Sequence, residues 1–455
     1  MRQYTSQFQG QFEFMETFDL KLDETNRWVQ LAKILPWDKM VEVYQKKFNK
    51  TLGAPGVTVR VLIGCLVIKH KLNLPDEEVL PLIQENPYMQ YFLGLSNFQA
   101  SALFSPSYFV EIRKEFGYDI LDEFTVELMR VAFPGAGKTK KDESETLENK
   151  GQLKIDATVA PQYIKYPTDW DLLNQARLIT QGIIDDLYDP LRAELKVKPR
   201  TYRRMADKRY LALSKMKKKP KSKIRMCIRY LLNCVKRNLE YIEQMLDLLP
   251  SEFPLAYKKL RQLWVINTLY GQQREMYEQK SHQCENRIVS ISQPQVRPIV
   301  RGKQAKKVEF GAKLGLSLNN GFVRVDHLSW DNFNEAGDLQ NQAEVYKTFW
   351  GYYPELIQAD EIYNTNENRK WCKENKIRLL GKPKGKPVEK TAYQKRKEKK
   401  ERNQRSIVEG KIGQCKAHGL DPVKAKLADT SQSWIAAALF VTNVLKLASL
   451  SGINF

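Results

Sequence analysis

Two short apolar runs that each carry an aspartate constrain this chain more than any other feature. Asp156 interrupts the run Leu-Lys-Ile-Asp-Ala-Thr, and Asp360 ends the run Leu-Ile-Gln-Ala-Asp. Runs of this length and composition predict β-strands. A third acid, Glu409, lies in a stretch of helical pattern that is flanked by cations. Carboxylates gathered by two strands and a helix can bind a pair of divalent metal ions, which is the chemistry of phosphodiester cleavage.

Each of these acids also has an ordinary structural interpretation. Asp156 suits a strand end, Asp360 a helix N-cap or a turn, and Glu409 an exposed helical position. Taken singly, these interpretations are at least as good as catalysis. For the three acids together, these ordinary interpretations explain less than a metal site does. Two metal ions ~4 Å apart need several anionic oxygen ligands, and they also need open positions for water and phosphate. Arg405 lies one turn before Glu409 and Lys416 two turns after it, so on a helix the three share a face.

The charge of the chain favours a nucleic-acid partner. Its 74 Lys and Arg exceed its 53 Asp and Glu, which gives a formal charge of +21. DNA is the simplest polyanion that matches this charge, and the alternative is a generally basic soluble protein such as a ribosome-associated factor. A chain of 455 residues is long enough for two or three domains, and its 42% apolar content excludes a wholly disordered protein.

Several absences in the sequence favour a reduced cytosolic protein. The first residues, Met-Arg-Gln-Tyr-Thr-Ser-Gln-Phe, lack the apolar core of a signal peptide. The longest apolar stretch, residues 434–450, is interrupted by Asn443 and Lys446, so we expect no membrane span. The six cysteines contain no Cys-x-x-Cys pair, and the four histidines do not gather near them at zinc-ligand spacing.

The region up to residue 150 predicts short helices. An apolar run covers residues 59–68, a proline and three acids at Pro75-Asp76-Glu77-Glu78 predict a helix start, and Ser105-Pro106 predicts another. Short helices on a basic protein can hold a helix-turn-helix. The segment 134–141 contains Gly-Lys-Thr but lacks the first glycine of a phosphate-binding loop, which favours a linker.

The middle of the chain, after a predicted strand at residues 151–159, is dominated by helical periodicity. One apolar stripe runs from Ile228 to Leu246, and Leu260, Leu263, Trp264, Asn267 and Tyr270 begin another, which predicts an antiparallel helical pair separated by residues 250–254. A dense cluster of cations precedes this pair, and its single sign favours phosphate contact over a solvated face. The cluster comprises Arg203, Arg204, Lys208, Arg209, Lys217, Lys218, Lys219, Lys221, Lys223 and Arg225.

Strand patterns return in the last third of the chain. Residues 308–318 and 322–328 flank Asn319-Asn320-Gly321, and Asn-Gly predicts a tight hairpin turn. A helix from about Asn334, a strand at 355–359, a helix near 366–374 and a strand at 377–380 are predicted next. A basic loop at residues 382–400 is expected to lead into the helix with Glu409.

These motifs together resemble the DDE transposases of bacterial insertion sequences, most closely the insertion-sequence five family. The resemblance covers about residues 57–447. It rests on Arg405-x-x-x-Glu409 with Lys416, on the two aspartate runs, and on the segments 86–94, 297–303 and 308–313. Related transposases often have Tyr three residues before the arginine, where this chain has Arg402. That difference leaves the acids unaffected and concerns only the orientation of DNA near the cut.

The resemblance implies an α/β catalytic core of RNase H-like type, a mixed five-stranded sheet with helices. In that fold the first and fourth strands lie side by side and parallel, and a later helix lays its Glu across both. It further implies a discontinuous domain order. Residues 1–150 form a helical N-terminal DNA-binding domain and linker, 151–169 the first strand, 170–298 an all-helical insertion, and 299–455 the rest of the catalytic domain with a C-terminal helix.

The resemblance also implies a function. Such an enzyme recognises the terminal inverted repeats of its element, hydrolyses double-stranded DNA there and joins the freed 3′ ends to target DNA in one active site. Asp156, Asp360 and Glu409 would be catalytic and would hold two Mg²⁺ ions, with Mn²⁺ as a substitute. Because two element ends must be held together, a homodimer in a synaptic complex on DNA is expected, in the bacterial cytoplasm and associated with the nucleoid.

Two sets of cations are the candidate DNA contacts. The first accompanies Glu409 and the second belongs to the basic segments. They comprise Arg405, Lys416 and Arg402, then Arg203, Arg204, Lys217, Lys218, Lys219, Lys221, Lys395, Arg396 and Lys397. His327 is a possible extra base, but two-metal chemistry does not need one, which favours an ordinary hairpin residue.

Two alternatives stay open at this point. One is an RNase H-like metal nuclease without strand transfer. The other is a DNA-binding regulator derived from a transposase, which would keep the basic segments and discard the acids. The presence of all three acids argues against the regulator, and a wide separation of the acids in the fold would favour it.

Overall fold

The chain folds into two compact units, described from a computed structural model that covers residues 22–47, 57–137, 148–249, 255–300, 308–381 and 391–455. The first unit comprises Met1–Gln162, Lys313–Ser329 and Phe333–Phe455. The second comprises Tyr163–Ala312 and Trp330–Asn332. These units describe packing, and the domain boundaries given above stay predictions.

Helices fill the first part of unit one. In the described residues they are α1 (Arg27–Ile34), α2 (Trp37–Lys47), α3 (Val59–Leu72), α4 (Asp76–Glu85), α5 (Pro87–Phe92), α6 (Tyr108–Glu115) and α7 (Tyr118–Ala132). Helix α3 begins where the Thr58 side chain accepts a hydrogen bond from the Val61 amide, and it ends at Asn73 with a left-handed φ of 52°. The predicted helix starts near Pro75 and Ser105 are confirmed by α4 and α6.

A mixed sheet forms the other part of unit one. Its strands are β1 (Gln152–Pro161), β3 (Val308–Asn319), β4 (Phe322–Ser329), β5 (Leu356–Gln358) and β6 (Arg378–Leu380). Strand β4 pairs with β3, and β3, β1, β5 and β6 follow in that order. The β1–β5 and β5–β6 pairs are parallel, whereas β3 and β4 are antiparallel.

Within the described residues the sheet has six strands, not the predicted five. The additional strand, β2 (Arg297–Val300), pairs antiparallel with the first four residues of β3, Val308–Gly311. Pro298 lies within β2 and donates no ladder hydrogen bond, and the strand has only four residues. The sequence of β2 is therefore only a weak indication of a strand. Its strand conformation depends on the pairing with β3.

The predicted hairpin is confirmed. Asn319 pairs with Phe322, and the two residues between them have positive φ, 47° at Asn320 and 87° at Gly321. Both angles are those of the tight primed turn that Asn-Gly favours.

Four helices follow the hairpin in the described chain. They are α12 (Leu339–Trp350), α13 (Asn366–Glu374), α14 (Ala392–Cys415) and α15 (Ala428–Leu450). The prediction of a loop over residues 382–400 is wrong for its second half, because α14 already begins at Ala392, and residues 382–390 lie outside the described residues. Thr391 and Gln394 form a capping box at this helix start, and the basic residues that follow are good helix formers.

Helix α15 occupies the core of unit one. It is long and apolar enough to cross a membrane, but 78% of its most apolar window is buried inside the fold, as in the core helix of a globular protein. The fully buried Asn443 donates to the Val323 carbonyl at 2.7 Å and accepts from the Val323 amide at 2.9 Å. The polar residue in this apolar helix therefore satisfies the backbone of β4.

Unit two contains the predicted helical pair. Its described helices are α8 (Asp169–Tyr188), α9 (Arg203–Ser214), α10 (Lys221–Asp247) and α11 (Tyr257–Glu278). The stripe on α10 is buried at Ile228, Leu231 and Val235, as predicted. The prediction that Trp264 on α11 is a core residue is wrong, because Trp264 is 70% exposed. Ile266 and Leu269 are buried instead. The separating residues 250–254 lie outside the described residues.

An acid that is partly buried, with its Oδ1 inaccessible to solvent, lies against α12 in unit one. Asp326 on β4 accepts a hydrogen bond from Gln342 Nε2 at 3.2 Å. Burial raises the pKa of Asp326 to about 6, and the contacts with Ser317, Arg324 and Gln342 oppose that rise. The folded protein therefore binds this proton more tightly than the unfolded chain does.

Replacing Asp326 should change how stability depends on pH. A pKa raised from 3.8 to about 6 gives stability that is present below pH 4 and is lost as pH rises through 6. Asp326→Asn should therefore stabilise the protein more at pH 7 than at pH 4, by up to about 3 kcal/mol. Urea unfolding of both proteins at the two pH values measures the difference. Asp119→Asn, at a side chain 79% exposed, is the control, and a difference independent of pH would contradict the assignment.

Candidate active site

Two parallel strands bring Asp156 and Asp360 to the same level of the sheet. Strands β1 and β5 pair in register, with Lys154 opposite Gln358. Asp156 and Asp360 each lie two residues beyond that pair, and neighbouring strands are about 4.8 Å apart. Side chains two residues further along a strand return to the same face. The local register therefore directs both carboxylates to one side of the sheet.

Polar contacts fix helix α14 to the same strands. The fully buried Gln358 donates from Nε2 to the Glu401 carbonyl at 2.8 Å. The Glu401 carboxylate accepts two hydrogen bonds from Arg378 on β6, at 2.6 and 2.8 Å. These hydrogen bonds from Arg378 lower the pKa of Glu401. Glu401 therefore holds the helix that carries Arg405 and Glu409 against β5 and β6.

Arg405 lies between two of the acids. Its Nη1 is 3.9 Å from Asp156 Oδ2, and its Nη2 is 4.0 Å from Glu409 Oε1. The side chain of Asp156 is 18% exposed, whereas that of Glu409 is 65% exposed. The first carboxylate is therefore at the floor of the site and the second at its solvent edge.

Burial raises the pKa of Asp156, and the negative charges of Asp360 and Glu335 raise it further. The hydrogen bond from the Ala157 amide, at 2.9 Å, and the charge of Arg405 oppose that rise. Sequence reasoning did not single out Glu335, which begins a short 3₁₀ helix and lies 3.4 Å from Lys313 Nζ. No local pattern indicates it, because its proximity to Asp156 comes from the tertiary fold.

The donor chemistry of the site fits a divalent cation, although its acids are not clustered as ligands. Within the described residues, no three Asp, Glu, His or Cys side chains lie close enough to hold a metal ion. Asp156, Asp360 and Glu409 nevertheless supply the carboxylate oxygens that hard cations prefer. Positive charge is favourable beside Asp156, since its carboxylate is buried next to other acids. Arg405 supplies such a charge, and a metal ion would supply more.

The cations predicted beside Glu409 have different surroundings. Lys416 Nζ lies 3.3 Å from Asp421 Oδ2 and thus has a carboxylate partner. Arg396 and Lys397 are exposed on α14, whereas the side chains of Lys395 and Arg402 lie outside the described part. The role of each in DNA binding stays a prediction.

The predicted basic cluster lies in unit two, on α9, on the start of α10 and between them. Arg203 pairs with Asp185 at 2.5 Å, whereas Arg204, Lys217, Lys218 and Lys221 are exposed. Lys219 donates to the Met216 carbonyl at 2.8 Å. Helix α10 begins at Lys221 without an acid in its first turn. Lysines at the positive end of a helix are unfavourable, so an anion at this end would be stabilising.

His327 is a hairpin residue, as the sequence favoured. It pairs with Gly315 in the β3–β4 ladder, and its ring stacks on Phe333 with centroids 3.9 Å apart. Its Nδ1 is 2.8 Å from Asp338 Oδ1. These contacts account for its position without a role as a base.

Two family models and a relative match parts of this chain. Residues 357–445 match the family described as Transposase DDE domain, and residues 16–115 match the family described as Transposase domain (DUF772). The first match includes Asp360 and Glu409. A relative in Rhizobium meliloti, "Uncharacterized protein ORF8 in nfe locus", is 32% identical over 156 residues, which are 34% of this chain and 72% of the relative. No solved structure matches the chain.

Removing the partner of Glu401 should loosen α14. Arg378→Met leaves the carboxylate of Glu401, 8% exposed, without its two charged hydrogen bonds. Such bonds contribute about 1.5–3 kcal/mol, so the free energy of unfolding should fall by about that amount. Hydrogen exchange in residues 392–415 should accelerate more than in α13. Lys373→Met, at an exposed position on α13, is the control, and unchanged exchange in α14 would show that other contacts hold the helix.

Proposed function

The chain belongs to the DDE transposases of insertion-sequence type, and from this premise we propose that it cleaves DNA at the ends of its element and joins them to target DNA. It would bind the terminal inverted repeats, hydrolyse one phosphodiester at each end, and use the freed 3′-hydroxyl as the second nucleophile. Divalent-metal dependence is general to DDE transposases. Its sequence motifs most resemble those of the insertion-sequence five family, which we propose as its subgroup.

One observation carries this proposal more than any other. Asp156 lies on β1 two residues beyond the last β1–β5 pair, Asp360 follows the end of the parallel β5 by two residues, and the helix that contacts both strands carries Glu409. Arg405 lies between Asp156 on β1 and Glu409 on α14, with its guanidinium within 4.0 Å of both carboxylates. A DNA-binding regulator has no need of acids in this arrangement.

The strand order supports an RNase H-like catalytic core. In unit one the hairpin β3–β4 adds antiparallel strands beside β1, and β5 and β6 add parallel strands on its other side. This order places the first strand at the centre and next to the strand that ends before Asp360, as the resemblance implies. Strand β2 is an addition to that core.

We assign roles to the residues of the site as follows. Asp156, Asp360 and Glu409 would hold Mg²⁺, and Mn²⁺ would substitute because it also accepts oxygen ligands in octahedral geometry. The chemistry that two bound Mg²⁺ ions supply is charge neutralisation at the attacking and leaving oxygens of an in-line displacement. Arg405 balances the charge of Asp156 and Glu409 and directs its remaining N–H donors to a DNA phosphate.

DNA recognition would use the exposed cations of both units. The basic cluster of unit two lies where the positive end of α10 adds to the lysine charges. Arg396 and Lys397 precede Arg405 by nine and eight residues on α14, which is a little more than two turns, so they would contact the DNA backbone that enters the site. Because two element ends react together, the active form on DNA would be a homodimer.

Neutralising any acid of the triad should abolish cleavage and leave DNA binding intact. Asp156→Asn, Asp360→Asn and Glu409→Gln each remove a ligand charge with little change in volume. Each protein is incubated with Mg²⁺ and a plasmid that carries candidate element ends, and cuts and joined products are mapped. The exposed Glu367→Gln on α13 is the matched control.

A variant that keeps near-normal cleavage identifies a wrongly assigned acid, and equal cleavage in EDTA rules out the metal mechanism. Ca²⁺ should support binding with little cleavage. Cuts without joined products would assign a metal nuclease in place of a transposase.

The two basic segments should differ in their effects on binding and on cleavage. Replacing four lysines of the first segment by Gln should weaken binding to specific and random DNA duplexes alike, because phosphate contacts carry no base information. These lysines are Lys217, Lys218, Lys219 and Lys221. Each lost contact should reduce the slope of log affinity against log salt by about 0.9. The same change at Lys395, Arg396, Lys397 and Lys399 should also slow cleavage of bound DNA. An unchanged slope in both variants would show that the two segments face solvent and do not contact DNA phosphates.

A further inference from the structure

Helix α14 has a second polar face, opposite the acids. With 3.6 residues per turn, Ile407, Lys411 and Gln414 lie on the side of the helix away from Arg405 and Glu409. These three residues line a cleft of about 670 Å³ within unit one. The width of the helix, about 10 Å, separates this cleft from the acids.

The cleft is lined by cations from three helices. Lys71 comes from α3, Lys411 from α14 and Lys446 from α15, and His418 lies in the turn after α14. No Asp or Glu is among the described residues that line the cleft. In the described part of the chain, no carboxylate lies within ion-pair distance of any of the three ammonium groups.

The surroundings of these lysines do not neutralise them. Lys411 is 8% exposed, and its Nζ donates to the neutral Gln414 Oε1 at 3.1 Å. The ammonium of Lys71 lies 5.7 Å from the Phe455 ring centre. Buried positive charge without a counter-charge is unfavourable. An anion in the cleft would remove that cost.

The turn of the hairpin makes room for one of the cations. Gly321 lines the cleft, and a Cβ at this position would lie 2.4 Å from Lys446 Cε. The glycine that the turn requires at φ 87° therefore also admits the Lys446 side chain. Replacing it would displace this side chain and strain the turn.

The neutral lining of the cleft combines polar and apolar groups. Thr442, Ser449 and Asn454 provide polar groups, and Leu318 and Leu445 provide apolar surface. Small-molecule sites generally occupy about 300–1,000 Å³ and combine apolar walls with a few polar groups. The volume suits one nucleotide better than a duplex.

We propose that this cleft binds a phosphate-bearing ligand of nucleotide size, with its phosphate groups held by Lys71, Lys411 and Lys446. The ligand is either a free nucleotide or a single nucleotide unit of a DNA strand. This site is distinct from the acids on the other face of α14 and does not depend on the transposase reaction.

The full chain is titrated by calorimetry with inorganic pyrophosphate and with ATP, in EDTA. Lys71→Gln/Lys446→Gln should lower both affinities at least tenfold, because charge-assisted hydrogen bonds to phosphate are lost. Lys411→Met, a change at the buried position, should act in the same direction. Lys370→Gln, exposed on α13, removes the same charge elsewhere and should leave both affinities unchanged.

Another cation of the chain provides the second control. The protein with Lys258→Gln, a change at an exposed position on α11, should bind pyrophosphate as the natural chain does. If Lys411→Met does not fold, the double variant at the half-buried Lys71 and Lys446 still tests the proposal. No binding to the natural chain, or equal affinity in the double variant, overturns the proposal.

A competition experiment identifies the source of the phosphate. A short single-stranded oligonucleotide that displaces pyrophosphate from the natural chain assigns the site to a DNA strand. Failure to displace it assigns the site to a free phosphorylated compound. Cleavage assays do not enter this test, so its result is independent of the fate of the proposed reaction.

Discussion

The attachment of α14 to β5 and β6 through Glu401 determines the geometry of the candidate site. The helix is mostly polar, with buried apolar side chains at Val408 and Cys415 among its described residues. So little apolar burial cannot fix its rotation, since side-chain burial supplies only about 1.5–3 kcal/mol per residue. The hydrogen bonds of Glu401 to Gln358 and Arg378 are directional, and they set which face of the helix meets the strands.

The strands supply the complementary constraint. Strand β5 is only three residues long, yet all three are buried. Its parallel pairing with β1 leaves Asp360 just beyond the last buried residue pair, and Asp360 is therefore exposed while Asp156 on the longer strand is not. A half-buried and an exposed carboxylate near each other give a site that is open to solvent on one side.

Local chemistry explains which parts of this fold could be predicted from the sequence. The hairpin, the helix starts and the strands that carry the aspartates depend on short patterns, and they are confirmed in the structure. Strand β2 and the start of α14 were missed, because one needs a pairing partner and the other lacks apolar periodicity. The sequence predicts Trp264 to be buried, but it is exposed. The apolar pattern of a helix does not by itself determine which face meets the neighbouring helix. The roles of Glu401 and Glu335 depend on residues distant in sequence, so no local pattern indicates them.

Asn443 and Lys446, two of the polar residues in the apolar helix α15, lie in different surroundings. Asn443 satisfies the backbone of β4, and Lys446 reaches the cleft behind α14. Each is costly inside an apolar core unless it has a partner. Asn443 has its partner within the fold, whereas Lys446 faces a cavity with two other lysines.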